Sequence, residues 1–101
     1  HDHTGQTVIV LKGHRTVVAD GNQVAFNTTG NPGMATGGSG DVLTGLIAAL
    51  VGQGLTGWDA ARLGAHVHGL AGDLAAQCVG QTSLVATDII DQLPSAFNQL
   101  E

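Results

Sequence analysis

Residues 31–45 read NPGMATGGSGDVLTG, and this run constrains the fold more than any other part of the chain. Glycine has no Cβ, so the backbone N–H groups of Gly37, Gly38 and Gly40 can turn inward together and approach an anion closely. Apolar residues then recur at Leu43, Leu46, Ile47, Leu50 and Val51, which form one face of a helix over three turns. A helix fed by such a turn adds its own unsatisfied N–H groups and the positive end of its dipole, and together they make a phosphate-sized anion site. Asn31-Pro32-Gly33 stiffens the approach, and the apolar face anchors the helix on a core. The plainer alternative is a flexible turn in which Ser39 or Asp41 is an ordinary N-cap.

Asp41 is the sharpest single candidate. A carboxylate beside a phosphate site repels the ligand unless it has a task of its own. The matching task is to accept the proton of a substrate hydroxyl that attacks the phosphate. The dipole stabilises its charge, so positioning must supply most of its effect, and stabilisation of the helix alone is the competing reading. A second constellation is Lys12-Gly13-His14-Arg15-Thr16, at the end of a predicted strand, where α/β sheets carry ligands. It holds two of the three basic residues in the protein and suits nucleotide phosphates or sugar; a solvated turn is the alternative. His66 and His68 lie two apart on a predicted helix and point to different faces, so they make a poor metal pair, and each reads as a packed or surface histidine. Cys78 reads as a buried small apolar residue, and Met34 and Trp58 as packing residues.

Residues 6–12 (QTVIVLK) have the continuous β-branched character of a strand buried on both faces. Residues 16–20 and 23–27 flank Gly21-Asn22 and predict a small hairpin beside the main sheet. Residues 28–40 predict a loop too long to be a passive connection. The helix that follows starts at Asp41 and is stopped by Gly52 and Gly54. A second is predicted over residues 59–77, with Ala61, Ala65, Gly69 and Gly72 keeping one face small for close approach of another helix. A third is predicted from Thr87 as N-cap, with Asp88 in its first turn and Pro94 kinking or restarting it before residues 95–100. No repeat or linker divides the chain.

With 101 residues the chain is one domain or part of one. Hydrophobic residues make up 43% and aromatics only 3%, so its core must be built from Val, Leu, Ile and Ala. Eight acids against three bases give a net charge of −5, which argues against sequence-independent binding to nucleic acid or to an anionic membrane. No run has the length or polarity of a transmembrane helix or signal peptide, and one cysteine suits a reducing compartment. A cytoplasmic protein is expected. His1-Asp2-His3 has nothing nearby to complete a metal site, and no metal ligand is assigned.

The segments VLKGHRTVVADG (10–21), GNPGMATGGSGDVLTGLIAAL (30–50), AHVHGLAGDLAA (65–76) and TDIIDQLP (87–94) closely resemble, in this order, the C-terminal part of the ADP/ATP-dependent NAD(P)H-hydrate dehydratases. These enzymes belong to the ribokinase-like, or carbohydrate kinase, superfamily. A GxGD element alone indicates only the superfamily; the longer run at residues 31–45 is far more specific. The resemblance implies an α/β chain, residues 1–101, that forms the C-terminal portion of a ribokinase-like three-layer αβα fold. Its parts are a β-strand and a small hairpin followed by three helices. It implies dehydration of the S form of hydrated NADH or NADPH, with ADP or ATP phosphorylating the hydrate before elimination. Lys12, Gly13, His14, Arg15 and Thr16, with Gly40, would bind the adenine nucleotide. Asn31, Pro32, Gly33, Met34, Ala35, Thr36, Gly37, Gly38 and Ser39 would wall its phosphates. Asp41 would contact the hydrated dinucleotide and act as base, and Mg2+ would bridge the phosphates. Family domains are much longer, so this chain corresponds to about their last third, and a homo-oligomer or association with the missing part of the domain is expected. A ribokinase-like kinase of a sugar or vitamin, and a non-catalytic nucleotide-binding fragment, are the two alternatives.

Overall fold

The computed structural model describes residues 7–11 and 16–100. Strands β1 (Ile9–Leu11), β2 (Val17–Ala19) and β3 (Val24–Phe26) form one sheet in that order, with both pairings antiparallel. Val10, Val18 and Ala25 stand side by side across it, and Val18 is fully buried against Ala61 and Ala65. The pleat sends the alternate residues outward. Ile9, Leu11, Val24 and Phe26 are therefore 50%, 59%, 58% and 68% exposed. This corrects two expectations from the sequence. The first strand is not buried on both faces, because helices cover only one side of the sheet. The hairpin around Gly21-Asn22 does not lie beside a main sheet, because β1 pairs directly with β2.

Asp20 closes the β2–β3 turn. Its carboxylate accepts from the Asn22 N–H at 2.7 Å, the Gln23 N–H at 3.0 Å and the Gln23 side-chain amide at 3.1 Å. The Asn22 amide, and after it the Gln23 side chain, hold the carboxyl below its ordinary value of 3.8. A depressed carboxyl stabilises the turn above its unfolded value, and this stabilisation is lost as pH falls through the folded one. The Asn22 amide resonance is thus expected to keep its hydrogen-bonded shift as pH falls past the ordinary carboxyl value of 3.8 and to lose it only below that, with no such transition in Asp20→Ala; a pH titration by NMR checks this.

Three helices follow: α1 (Ser39–Gly52), α2 (Gly57–Val79) and α3 (Ala86–Asn98). The Thr56 hydroxyl starts α2 by accepting from the Asp59 N–H at 3.1 Å. This helix is the centre of the molecule. Its Val67, Ala71 and Ala75 pack with Met34, Leu84, Ile89 and Ala96, while Ala61 and Ala65 meet the sheet. Burying a side chain such as Ile89 contributes about 1.5–3 kcal/mol, so this small-residue helix holds the fold by what it lets approach. Only part of its small face meets a helix: Gly64 lies against Ile47 of α1, whereas Gly69 lies against Thr29 and Gly72 against Met34. The expected helix partner for Gly69 and Gly72 is instead the loop before α1.

Three further expectations are corrected. The N-cap of α3 is Val85, not Thr87, because Asp88 reaches back from the first turn and accepts the Val85 N–H at 3.0 Å. The helix runs through Pro94 without restarting; the carbonyl one turn earlier belongs to exposed Ile90, where water can replace the missing N–H. Cys78 is exposed, since the packed face of α2 ends at Ala75. Among the described residues no helix is long and apolar enough to cross a membrane.

Candidate functional site

The chain between β3 and α1 is laid along α2 and tied to it at successive points. Asn27 Nδ2 donates to the Ala65 carbonyl at 3.0 Å, and Thr29 Oγ1 donates to the His66 carbonyl at 2.9 Å. The Asp73 carboxylate accepts from the Gly30 N–H at 3.0 Å and from Asn31 Nδ2 at 2.9 Å. Asn31 also accepts the Gly33 N–H at 3.0 Å and so starts a 3₁₀ turn, Pro32–Met34. Met34 then buries its thioether over Gly72. A loop with this many ties to a helix is a rigid one, which is what a preorganised anion site needs.

Helix α1 begins two residues earlier than predicted, and neither Ser39 nor Asp41 caps it. The cap is Gly38, at φ 87° and ψ −10° and with no side-chain cap, a left-handed backbone that residues with a Cβ rarely adopt. The Ser39 N–H donates to the Thr36 carbonyl at 3.2 Å and the Val42 N–H to the Gly38 carbonyl at 3.1 Å. Among the described residues the first-turn amides of Gly40 and Asp41 take no carbonyl from outside the helix, and a first turn offers none inside it. Among the described residues no heavy atom lies within 4 Å of where a Cβ would stand on Gly37 or Gly40. The turn is thus open to a ligand, with exposed Asp41 at its edge.

A cleft of about 350 Å³ opens beside this turn, between the loop and α2. Thr16, Asn31, Pro32, Met34 and Ala35 line it, which brings one end of the KGHRT segment together with the NPGMA segment. Gly33, Thr36, Gly37, Gly38, Ser39, Gly40 and Asp41 are not on its wall. Gly33 is instead tucked against the backbone of Gln81. Lys12, Gly13, His14 and Arg15 lie outside the described residues. Asn27, Thr29, Gly30, Ala65, His68 and Gly69 complete the wall, and sequence reasoning assigned none of them to a site. Polar residues just before Gly-Asn-Pro were the available signal for the first two.

His68 connects the two places. It is buried on α2, walls the cleft, and brings Nε2 to 3.1 Å from the Ser39 carbonyl and 3.3 Å from Ser39 Oγ. His66 opens instead on a second cleft, of about 460 Å³, beside Asp59 and Arg62. The two histidines face different cavities, as their spacing requires. Among the described residues no group of three or more His, Cys, Asp or Glu side chains gathers as a metal cage.

A family model described as NAD(P)H-hydrate dehydratase matches residues 2–95. The chain belongs to the NAD(P)H-hydrate dehydratase family. Among its curated relatives, the bifunctional NAD(P)H-hydrate repair enzyme Nnr of Moorella thermoacetica is 59% identical over 98 residues, 95% of this chain and 18% of its own length. The enzyme of the same name from Vibrio cholerae is 48% identical over 91 residues, 90% of this chain and again 18% of its own. Among solved structures, Bacillus subtilis YxkO superposes with a TM-score of 0.89 at 35% identity, covering 95% of this chain and 36% of that one. An ADP/ATP-dependent NAD(P)H-hydrate dehydratase from Bacillus subtilis, co-crystallised with ATP and Mg2+, superposes with a TM-score of 0.87 at 34% identity, covering 94% of this chain and 35% of that one. The three-stranded sheet and three helices match the C-terminal part of the ribokinase-like α/β fold of these structures. The chain spans less than a fifth of the curated relatives it matches.

Proposed function

We propose that this chain carries the phosphate-binding turn and the catalytic base of an ADP- or ATP-dependent (S)-NAD(P)H-hydrate dehydratase. The observation that supports this most is the start of α1: a left-handed glycine cap, two first-turn amides without carbonyl partners, and Asp41 beside them. The turn takes the terminal phosphate of the nucleotide, and Thr16 with Asn31, Pro32, Met34 and Ala35 walls the neighbouring cleft. Asp41 accepts the proton of the hydrate's hydroxyl as that oxygen bonds to phosphorus and the bond to the rest of the nucleotide breaks. Loss of the new phosphate with the proton on the adjacent carbon restores the reduced nicotinamide ring. The balance is hydrate plus ADP giving NAD(P)H, AMP and phosphate, or with ATP giving ADP and phosphate. Magnesium enters with the nucleotide, since its preferred ligands are phosphate oxygens and water.

The outward sheet face of Ile9, Leu11, Val24 and Phe26 is an apolar surface of the kind that further protein covers, and we assign it to the rest of a dehydratase domain. Reduced dinucleotides and adenine nucleotides are substrates of the cytoplasm, which is the compartment we assign. The test is to incubate the full natural chain with hydrated NADH or NADPH, Mg2+, and ADP or ATP. Return of NADH or NADPH absorbance is expected with at least one nucleotide. A phosphorylated product without that absorbance would point to a small-molecule kinase, and nucleotide binding without turnover to a binding module; either outcome overturns the proposal.

A further inference from the structure

The geometry points to His68 as a positioning residue that sets the start of α1, and through it Asp41 and the anion turn. This rests on the reading of Asp41 given above. The observation is that the Gly38 cap of α1 carries no side chain, so locally only backbone bonds, such as that from the Ser39 N–H to the Thr36 carbonyl, hold its first turn. What reaches that turn is a ring 29 residues away in sequence, with Nε2 at 3.1 Å from the Ser39 carbonyl and 3.3 Å from its Oγ. Both residues are buried, His68 at 3% and Ser39 at 1% exposure. A carbonyl oxygen can only accept, so a bond to the Ser39 carbonyl requires hydrogen on Nε2, whereas a bare Nε2 would accept from Ser39 Oγ instead. The first of these is the arrangement inferred.

Its place in the loop gives it a distinct job. Asn27 and Thr29 tie down the beginning of the loop, and Asp73 ties down Gly30 and Asn31. His68 holds the far end, two residues before Asp41. Its ring also walls the cleft, so a ligand that enters the cleft meets the residue that sets the base. A shift of about 1 Å in a catalytic group can cost on the order of 10²-fold in rate, and loss of the His68 contact removes one of the bonds that resist such a shift.

The test uses His68→Leu and His68→Gln in the full natural chain. Leucine keeps the bulk and removes the donor, whereas the glutamine amide can again offer an N–H to the Ser39 carbonyl. His68→Leu is expected to lower kcat on the order of 10²-fold with KM for the hydrate little changed, and His68→Gln to recover most of the loss. Equal losses in both variants, or a loss confined to KM, would overturn the proposal. Two measurements do not depend on the reaction. Imidazole 15N shifts of the parent protein should show hydrogen on Nε2, and amide exchange at Gly40 and Asp41 should quicken in His68→Leu but not in His68→Gln. Hydrogen on Nδ1 alone, or unchanged exchange in His68→Leu, sinks the inference. Should the parent protein not turn over at all, the dehydratase reading falls while these two measurements still decide the role of His68; they decide it as well if His68→Leu does not fold, through the tautomer and the glutamine variant.

Discussion

Asp41→Asn is expected to lower kcat for hydrate dehydration by about 10²–10⁴-fold, the range a positioned general base supplies, while nucleotide affinity stays the same or rises. The substitution keeps the shape of the side chain and removes only its charge and basicity. Two readings of Asp41 make different predictions. If it served only to complement the dipole of α1, its loss would cost about 0.3–1 kcal/mol of helix stability, too little for a rate effect of that size. If it accepts a proton from the hydrate, the rate falls and the fold does not change. Nucleotide affinity separates them further. A carboxylate near a bound phosphate repels it, so removing the charge should not weaken binding. Single-turnover rates with ADP and with ATP, together with calorimetric titration of each nucleotide, check both halves. A kcat within about threefold of the parent value, well short of the general-base range, would remove Asp41 from the mechanism.

The glycine turn was legible because its signals are local. Gly37, Gly38 and Gly40 precede a period-3.6 apolar pattern, and no long-range information is needed to read them as a turn feeding a helix. The hairpin at Gly21-Asn22 was legible for the same reason. What the residues did not disclose depends on contacts between distant parts of the chain. Small residues at Gly69 and Gly72 announce a close approach but not its partner, and the partner proved to be Thr29 and Met34 rather than a helix. A β-branched run announces a strand but not whether both its faces are covered, and so Ile9 and Leu11 were misjudged. The link between His68 and Ser39 spans 29 residues; a histidine on an inward-facing helix position says only that something polar awaits it. The cap of α3 failed for a subtler reason. Thr87 has the right chemistry for an N-cap, but Asp88 supplies the same satisfaction from inside the helix.

Gly69→Ala tests whether α2 is the template for the loop, and it is expected to destabilise the protein by about 1–3 kcal/mol, the usual cost of overpacking. Helix propensity alone predicts the opposite sign, since alanine in a helix interior is favoured over glycine by about 1 kcal/mol. The contacts decide between them. A Cβ on Gly69 would collide with Thr29 Oγ1 and stand 2.7 Å from the Thr29 carbonyl carbon and 2.8 Å from its Cβ. Thr29 cannot step aside cheaply. Its hydroxyl is bonded to the His66 carbonyl, Asn27 before it is held by Ala65, and Gly30 after it is held by Asp73. The added methyl must therefore lift the backbone of the loop off the helix, and the cleft wall with it. The three atoms nearest a Cβ on Gly72 are Sδ, Cε and Cγ of the Met34 side chain, which is flexible and can repack, so the cost of Gly72→Ala should be smaller. Gly37→Ala meets no atom of the described residues within 4 Å and should be close to neutral. Urea unfolding of the three variants is expected to rank them in that order, with nucleotide affinity reduced most in Gly69→Ala. A Gly69→Ala protein as stable as the parent would mean that the loop can leave α2 without cost, and that the preorganisation of the anion turn has another source.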